Sequence, residues 1–224
     1  MFLYLLFMAP ALLLALFAQA RVKRAFKKYS RISTGRRISG AQVARVLLDA
    51  SGLQNVRVER TKGLLSDHYD PRGKVLRLSP DVHDGVSVAA AGIAAHEMGH
   101  ALQDAQKYFP LAIRTAMVPS VKLGSWLGPA IFFIGMFINA LNLAWLGLIL
   151  FAATAVFAIV TLPVEFDAST RAKALLVNNG ILARQEMTGV DRVLNAAALT
   201  YVAGALQAIM AVLYYAFILM GRRN

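Results

Sequence analysis

The chain has 224 residues, 58% of them hydrophobic and only 16% charged, and its mean hydropathy is +0.54. Soluble domains carry about a quarter charged residues, so this composition excludes an ordinary soluble globule and points to an integral membrane protein. The net charge of +12 comes without a nucleic-acid-binding motif and is read as membrane topology, and the absence of cysteine leaves only His and carboxylates for a metal site.

Residues 1–20 carry no charge and are one bilayer long. Ala18-Gln19-Ala20 resembles a signal-peptidase site, but no basic stretch precedes the apolar run and "RVKRAFKK" follows at once. An uncleaved transmembrane anchor is therefore expected. Next, "ISGAQVARVLLDASGL" places Val43, Val46, Leu47 and Ala50 at helical spacing, with Ser39 as cap and Gly52 as stop. "NVRVER", "LLSDHY" and "KVLRLS" read as strands of a small sheet, the last two joined by the turn "DPRG". "KVLRLS" is expected at the sheet edge, where an extended substrate could pair with it.

Residues 123–164 form a run of 42 without one charge, enough for two spans, with "INALNLAW" as the hairpin between them. A fourth uncharged run begins at Val193. Four spans put residues 21–122 and 165–192 on one side, and these segments hold 22 of the 24 basic residues. The positive-inside rule makes that side cytoplasmic, with Arg222 and Arg223 as a small exception on the far side.

Within the first of these segments lies "AAHEMGHALQ", residues 94–103. His96 and His100, four residues apart, share a helical face and can bind one ion. Glu97 sits beside that face, placed to act on water rather than as a ligand. The small residues before them, Ala89 to Ala95, suit close helix packing rather than a further span. A catalytic zinc takes a third protein ligand. Glu165, the first charge after the long uncharged run, is the outstanding candidate. Its alternative is an ordinary interfacial carboxylate. Pro163 is expected to end the third span, with Glu165 opening a new helix.

"AAHEMGHALQ", "PVEFDASTRA" and "DHYDPRGKVLRLSPDV" together resemble the YugP-like family of bacterial membrane zinc metallopeptidases, related in motif to the HtpX-like membrane proteases. The resemblance covers nearly the whole chain. It implies one catalytic zinc ion held by His96, His100 and Glu165, with Glu97 as general base. Ala168 also fits the downstream pattern, but Ser169 stands where that pattern has an aspartate that orients a ligand histidine. Asp167 is the nearby carboxylate, placed on a different face. His68, Tyr69 and Arg171 are unranked candidates for an oxyanion donor, with a packing role the simpler reading for His68.

The expected fold is mostly α, a four-span helical integral membrane protein with a small cytoplasmic α+β zincin-like metalloprotease portion. Residues 1–20 are the anchor, 21–122 the zincin-like part with the HExxH helix, and 123–164 the two-span hairpin. Residues 165–192 carry the third ligand, and 193–224 form the fourth span and tail. The expected activity is that of a gluzincin-like zinc metalloendopeptidase in the bacterial inner membrane, cutting membrane or membrane-proximal proteins at the cytoplasmic face. Its partners are then the lipid bilayer and membrane-protein or peptide substrates, and no nucleic acid. The rival readings are an intramembrane, site-2-like protease and a non-enzymatic scaffold with a structural zinc.

Overall fold

Ten elements follow one another in a computed structural model that describes residues 2–221, so Arg222 and Arg223 lie outside the described residues. They are α1 (Phe2–Tyr29), α2 (Gly40–Ala50), β1 (Arg57–Arg60), β2 (His68–Asp70), β3 (Val75–Leu78), α3 (Pro80–His83), α4 (Val88–Ala105), α5 (Phe109–Phe137), α6 (Leu141–Asn178) and α7 (Arg184–Gly221). The protein is mostly helical, and α1, α5, α6 and α7 each contain a stretch long and apolar enough to cross a membrane.

The chain divides into two compact units. The first contains α1 through Ala18, Ala112–Pro163, and the chain from Leu199 onward. Here α5 turns into α6 over three residues, with Asn139 adopting φ +56°, a left-handed conformation that asparagine tolerates better than most residues. The hairpin packs backbone on backbone. A Cβ at Gly147 would lie 2.3 Å from the Phe132 nitrogen, and one at Gly135 would lie 2.4 Å from that of Ala144. Helices in lipid gain little from burying apolar side chains, so close approach at small residues is how they associate. Phe132, Ala144, Leu148 and Leu219 form the buried cluster of this unit.

The second unit comprises Gln19–Leu111 and Val164–Ala198. The expected cap of α2 is present as a full capping box. Ser39 Oγ accepts from the Gln42 amide at 3.2 Å, and Gln42 Oε1 accepts from the Ser39 amide at 2.8 Å. The buried face of α2 is formed by Val43, Ala44, Leu47 and Leu48, whereas Val46 is exposed. The apolar stripe is thus rotated from the expected one, because Leu48 competes with Val46 for the core and carries more surface into it.

The sheet has the order β1-β3-β2, with β1 parallel to β3 and β2 antiparallel to it. "KVLRLS" is therefore the central strand, not the edge. Arg77 is in register with Glu59 on one side and His68 on the other, so both backbone edges of β3 are used within the sheet. The sheet is fastened to α4 by Asp104, which accepts from the Tyr69 hydroxyl at 2.7 Å and pairs with Lys74 Nζ at 2.5 Å. Burial and this carboxylate push the Tyr69 hydroxyl upward in pKa, which keeps it a donor.

One further expectation changes. Helix α6 continues through Pro163 to Asn178, so Glu165 sits inside a helix rather than opening one. Apolar helices accommodate proline where neighbouring groups satisfy the freed carbonyl. Helix α1 runs on past the uncharged residues 1–20 and carries Arg21, Lys23, Arg24, Lys27 and Lys28 on its last turns, all exposed. The core of this unit joins Val43, Leu47 and Leu48 of α2 and Leu76 and Leu78 of β3 to Ala91, Ala94 and Met98 of α4. Leu176 of α6 and Val190 and Leu194 of α7 complete it.

Candidate metal centre

Helix α4 begins at Ser87, whose side chain accepts from the Ala90 amide at 3.2 Å. Its first two turns, Val88 to Ala95, are buried almost throughout. They act as close packing, as the small residues suggested. The helix then presents its polar residues in an otherwise apolar core. Glu97 and His100 are buried, His96 is partly so, and Gln103 is fully enclosed.

Gly99, between the two histidines, explains how α6 comes near. A Cβ there would lie 2.6 Å from the Ala168 carbonyl oxygen and 3.1 Å from its Cα, so only glycine lets the two backbones touch. Ala168 lies one helical turn after Glu165, and this contact delivers the Glu165 carboxylate to the histidines. Glu165 Oε2 lies 3.3 Å from His96 Nε2 and 3.6 Å from His100 Nε2. One donor atom from each of the three residues falls within 4.8 Å of the others.

The donor set fits zinc. Ligand bonds of about 2.0–2.1 Å in a tetrahedron separate donors by about 3.3 Å, which the carboxylate–imidazole distances approach. Two imidazoles and a carboxylate, without thiolates, could supply three protein ligands to one zinc ion, a number that leaves a fourth position open. Burial pushes the Glu97 carboxyl above the ordinary range, with His96 and His100 pulling the other way.

Both histidines are held from behind. His96 Nδ1 lies 3.1 Å from Ser169 Oγ, so the serine at the position of the expected aspartate still meets a histidine of the cluster. His100 Nδ1 lies 2.9 Å from Gln103 Oε1. Gln103 in turn donates from Nε2 to the Val164 carbonyl and to Asp167 Oδ2, both at 2.8 Å. Asp167 thereby serves His100 through a glutamine. The sequence reading missed Gln103, although its place three residues after His100 in an apolar helix puts it on the same face.

The three oxyanion candidates each have partners of their own. His68 is exposed on β2 with its ring on the Ser66 carbonyl, and Tyr69 is taken by Asp104. Arg171 pairs with Asp167, donates to Gln106 Oε1 at 2.5 Å and lies 5.5 Å over the Tyr108 ring. It braces the end of α4 instead.

Comparison with known proteins agrees with the geometry. Residues 4–220 match the model of a family described as "Putative neutral zinc metallopeptidase". The chain is 44% identical over 222 residues to the "Putative membrane protease YugP" of Bacillus subtilis (strain 168), covering 99% of each chain. No solved structure matches it. With the family model matched across nearly its whole length, this chain belongs to the family described as "Putative neutral zinc metallopeptidase".

Proposed function

We propose that the protein is a zinc metalloendopeptidase that hydrolyses peptide bonds of membrane or membrane-proximal proteins at the cytoplasmic face of the membrane. The observation that carries this reading is the convergence of His96, His100 and Glu165 with the buried Glu97 beside them. In this reading the two histidines and Glu165 are the ligands, and zinc supplies Lewis acidity for amide hydrolysis. Glu97 takes a proton from the attacking water and returns it to the leaving amine. Ser169 and Gln103 hold the imidazoles in orientation.

The cytoplasmic assignment rests on the basic residues concentrated in segments 21–122 and 165–192. Between His100 and Glu165 the chain passes through α5 and the apolar part of α6, two crossings that return it to the same side. Glu165 follows the uncharged run directly, which favours a site at the membrane surface over one at mid-bilayer, where a charge is costly. A buried carboxylate next to the ligand pair favours an enzyme over a scaffold, since a structural zinc needs no base. An extended substrate would pair with an outer strand of the sheet, and β2, tied to α4 through Tyr69 and Asp104, is the nearer fit.

Metal analysis of the purified full chain tests the ligand set. The parent is expected to bind one zinc per chain, and His96→Ala, His100→Ala and Glu165→Ala are each expected to lose at least 100-fold in affinity. Parental affinity in folded Glu165→Ala would remove it from the site.

A further inference from the structure

We infer that Gln103 is the positioning residue that fixes the metal-binding tautomer of His100 and ties that histidine to the helix bearing Glu165. The inference rests on His100 being a ligand. It follows from which groups around the glutamine can donate and which can only accept.

Gln103 is fully buried, and its amide faces three groups: His100 Nδ1 at 2.9 Å, and the Val164 carbonyl and Asp167 Oδ2 at 2.8 Å each. A backbone carbonyl can only accept. Asp167 Oδ2 already accepts from the Arg171 guanidinium, a group that can only donate. The NH2 end of the amide must therefore face Val164 and Asp167. The opposite orientation would set an amide oxygen against two oxygens at a fully buried position. The amide oxygen is left facing His100, and it can only accept. His100 Nδ1 is then the protonated nitrogen, and Nε2 presents its lone pair on the side where Glu165 Oε2 lies 3.6 Å away.

The same logic does not apply to His96. Ser169 Oγ, 3.1 Å from His96 Nδ1, can donate or accept and so leaves the tautomer open. The two ligand histidines are thus held differently, one by an acceptor that dictates its state and one by a hydroxyl that follows it. Gln103 also spans the two ligand-bearing helices. Its oxygen serves a residue of α4, while its nitrogen holds Val164 and Asp167, the residues just before and two after Glu165 in α6.

The test uses the full chain in detergent micelles with its histidine rings labelled with 15N. Four histidines in all make the ring signals assignable. In zinc-free parent protein, at a pH where the rings are neutral, the Gln103 contact at 2.9 Å is expected to keep His100 in the Nδ1–H form against the competing acceptor Glu165 Oε2, 3.6 Å from Nε2. In Gln103→Leu, and in the more extended Gln103→Met should leucine prevent folding, that preference is expected to be lost. Zinc affinity, measured by chelator competition, should fall about 10- to 100-fold. Gln103→Glu keeps an acceptor for His100 and should keep the Nδ1–H form while losing the tie to Val164 and Asp167. Its affinity should fall between the two. Folded Gln103→Leu or Gln103→Met that retains the Nδ1–H form and binds zinc within twofold of the parent would overturn the inference. If the parent itself binds no zinc, the ligand reading fails, while the zinc-free spectra still decide what Gln103 does to His100.

Discussion

Each of the two compact units contains a place where helix backbones touch through glycine, and only one of them is a site. In the α5–α6 hairpin, Gly135 and Gly147 lie against backbone at distances that no side chain could share. The groups around them are Phe132, Ala144 and Leu148, and the contact does nothing but hold the hairpin. In the other unit Gly99 lies as close to Ala168, but the residues within one turn of that contact are His96, His100, Glu165 and Ser169. Close approach is therefore a means of packing that the membrane already requires. It can build a metal centre where the flanking positions on both helices carry residues able to hold an ion, as His96, His100 and Glu165 do here.

Substitutions at the two contacts should separate these roles. Gly99→Leu is expected to force α4 from Ala168 and to lower zinc affinity at least 100-fold, measured by chelator competition on the purified protein. Retained affinity would mean that the helix contact is not what brings Glu165 to the histidines. Gly147→Leu should instead destabilise the hairpin by about 1–3 kcal/mol through overpacking and leave the zinc affinity of the folded fraction unchanged. A thermal melt with and without zinc checks both halves of that expectation. The smallest effect is expected at Ser39→Ala, which removes one half of the α2 capping box. It should cost about 1 kcal/mol of stability, with zinc affinity at the parental value.

Much of the centre was legible in the sequence because helical spacing is rigid. Histidines four apart must share a face, whereas Glu165, the first charge after 42 uncharged residues, reads equally as a ligand or as an interfacial carboxylate until the motif resemblance is weighed. The same reasoning found the Ser39 cap and the apolar spans, whose signals are equally local. What was not legible depended on partners distant in sequence. The place of "KVLRLS" at the centre of the sheet is set by β1 pairing with it in parallel across the intervening hairpin, which no strand pattern reveals. Pro163 reads as a stop in a soluble helix, yet α6 runs through it. Val46 and Leu48 are near-equal candidates for the buried face of α2, and only the core decides between them. Ser169 and Asp167 were visible as a weakened support for the histidines. The residue that completes that support, Gln103, becomes evident only when Val164 and Asp167 of α6 are seen on its amide.

The central claim is that this chain's own glutamate, beside a zinc held by two histidines and a second glutamate, carries peptide hydrolysis. Its most direct test is Glu97→Gln in the full chain, assayed for zinc content and for cleavage of membrane-protein tails in the same preparation. The variant is expected to bind zinc as the parent does and to lose cleavage by about 100-fold or more, the range set by removing a general base. Parental cleavage by the zinc-loaded variant would contradict the account.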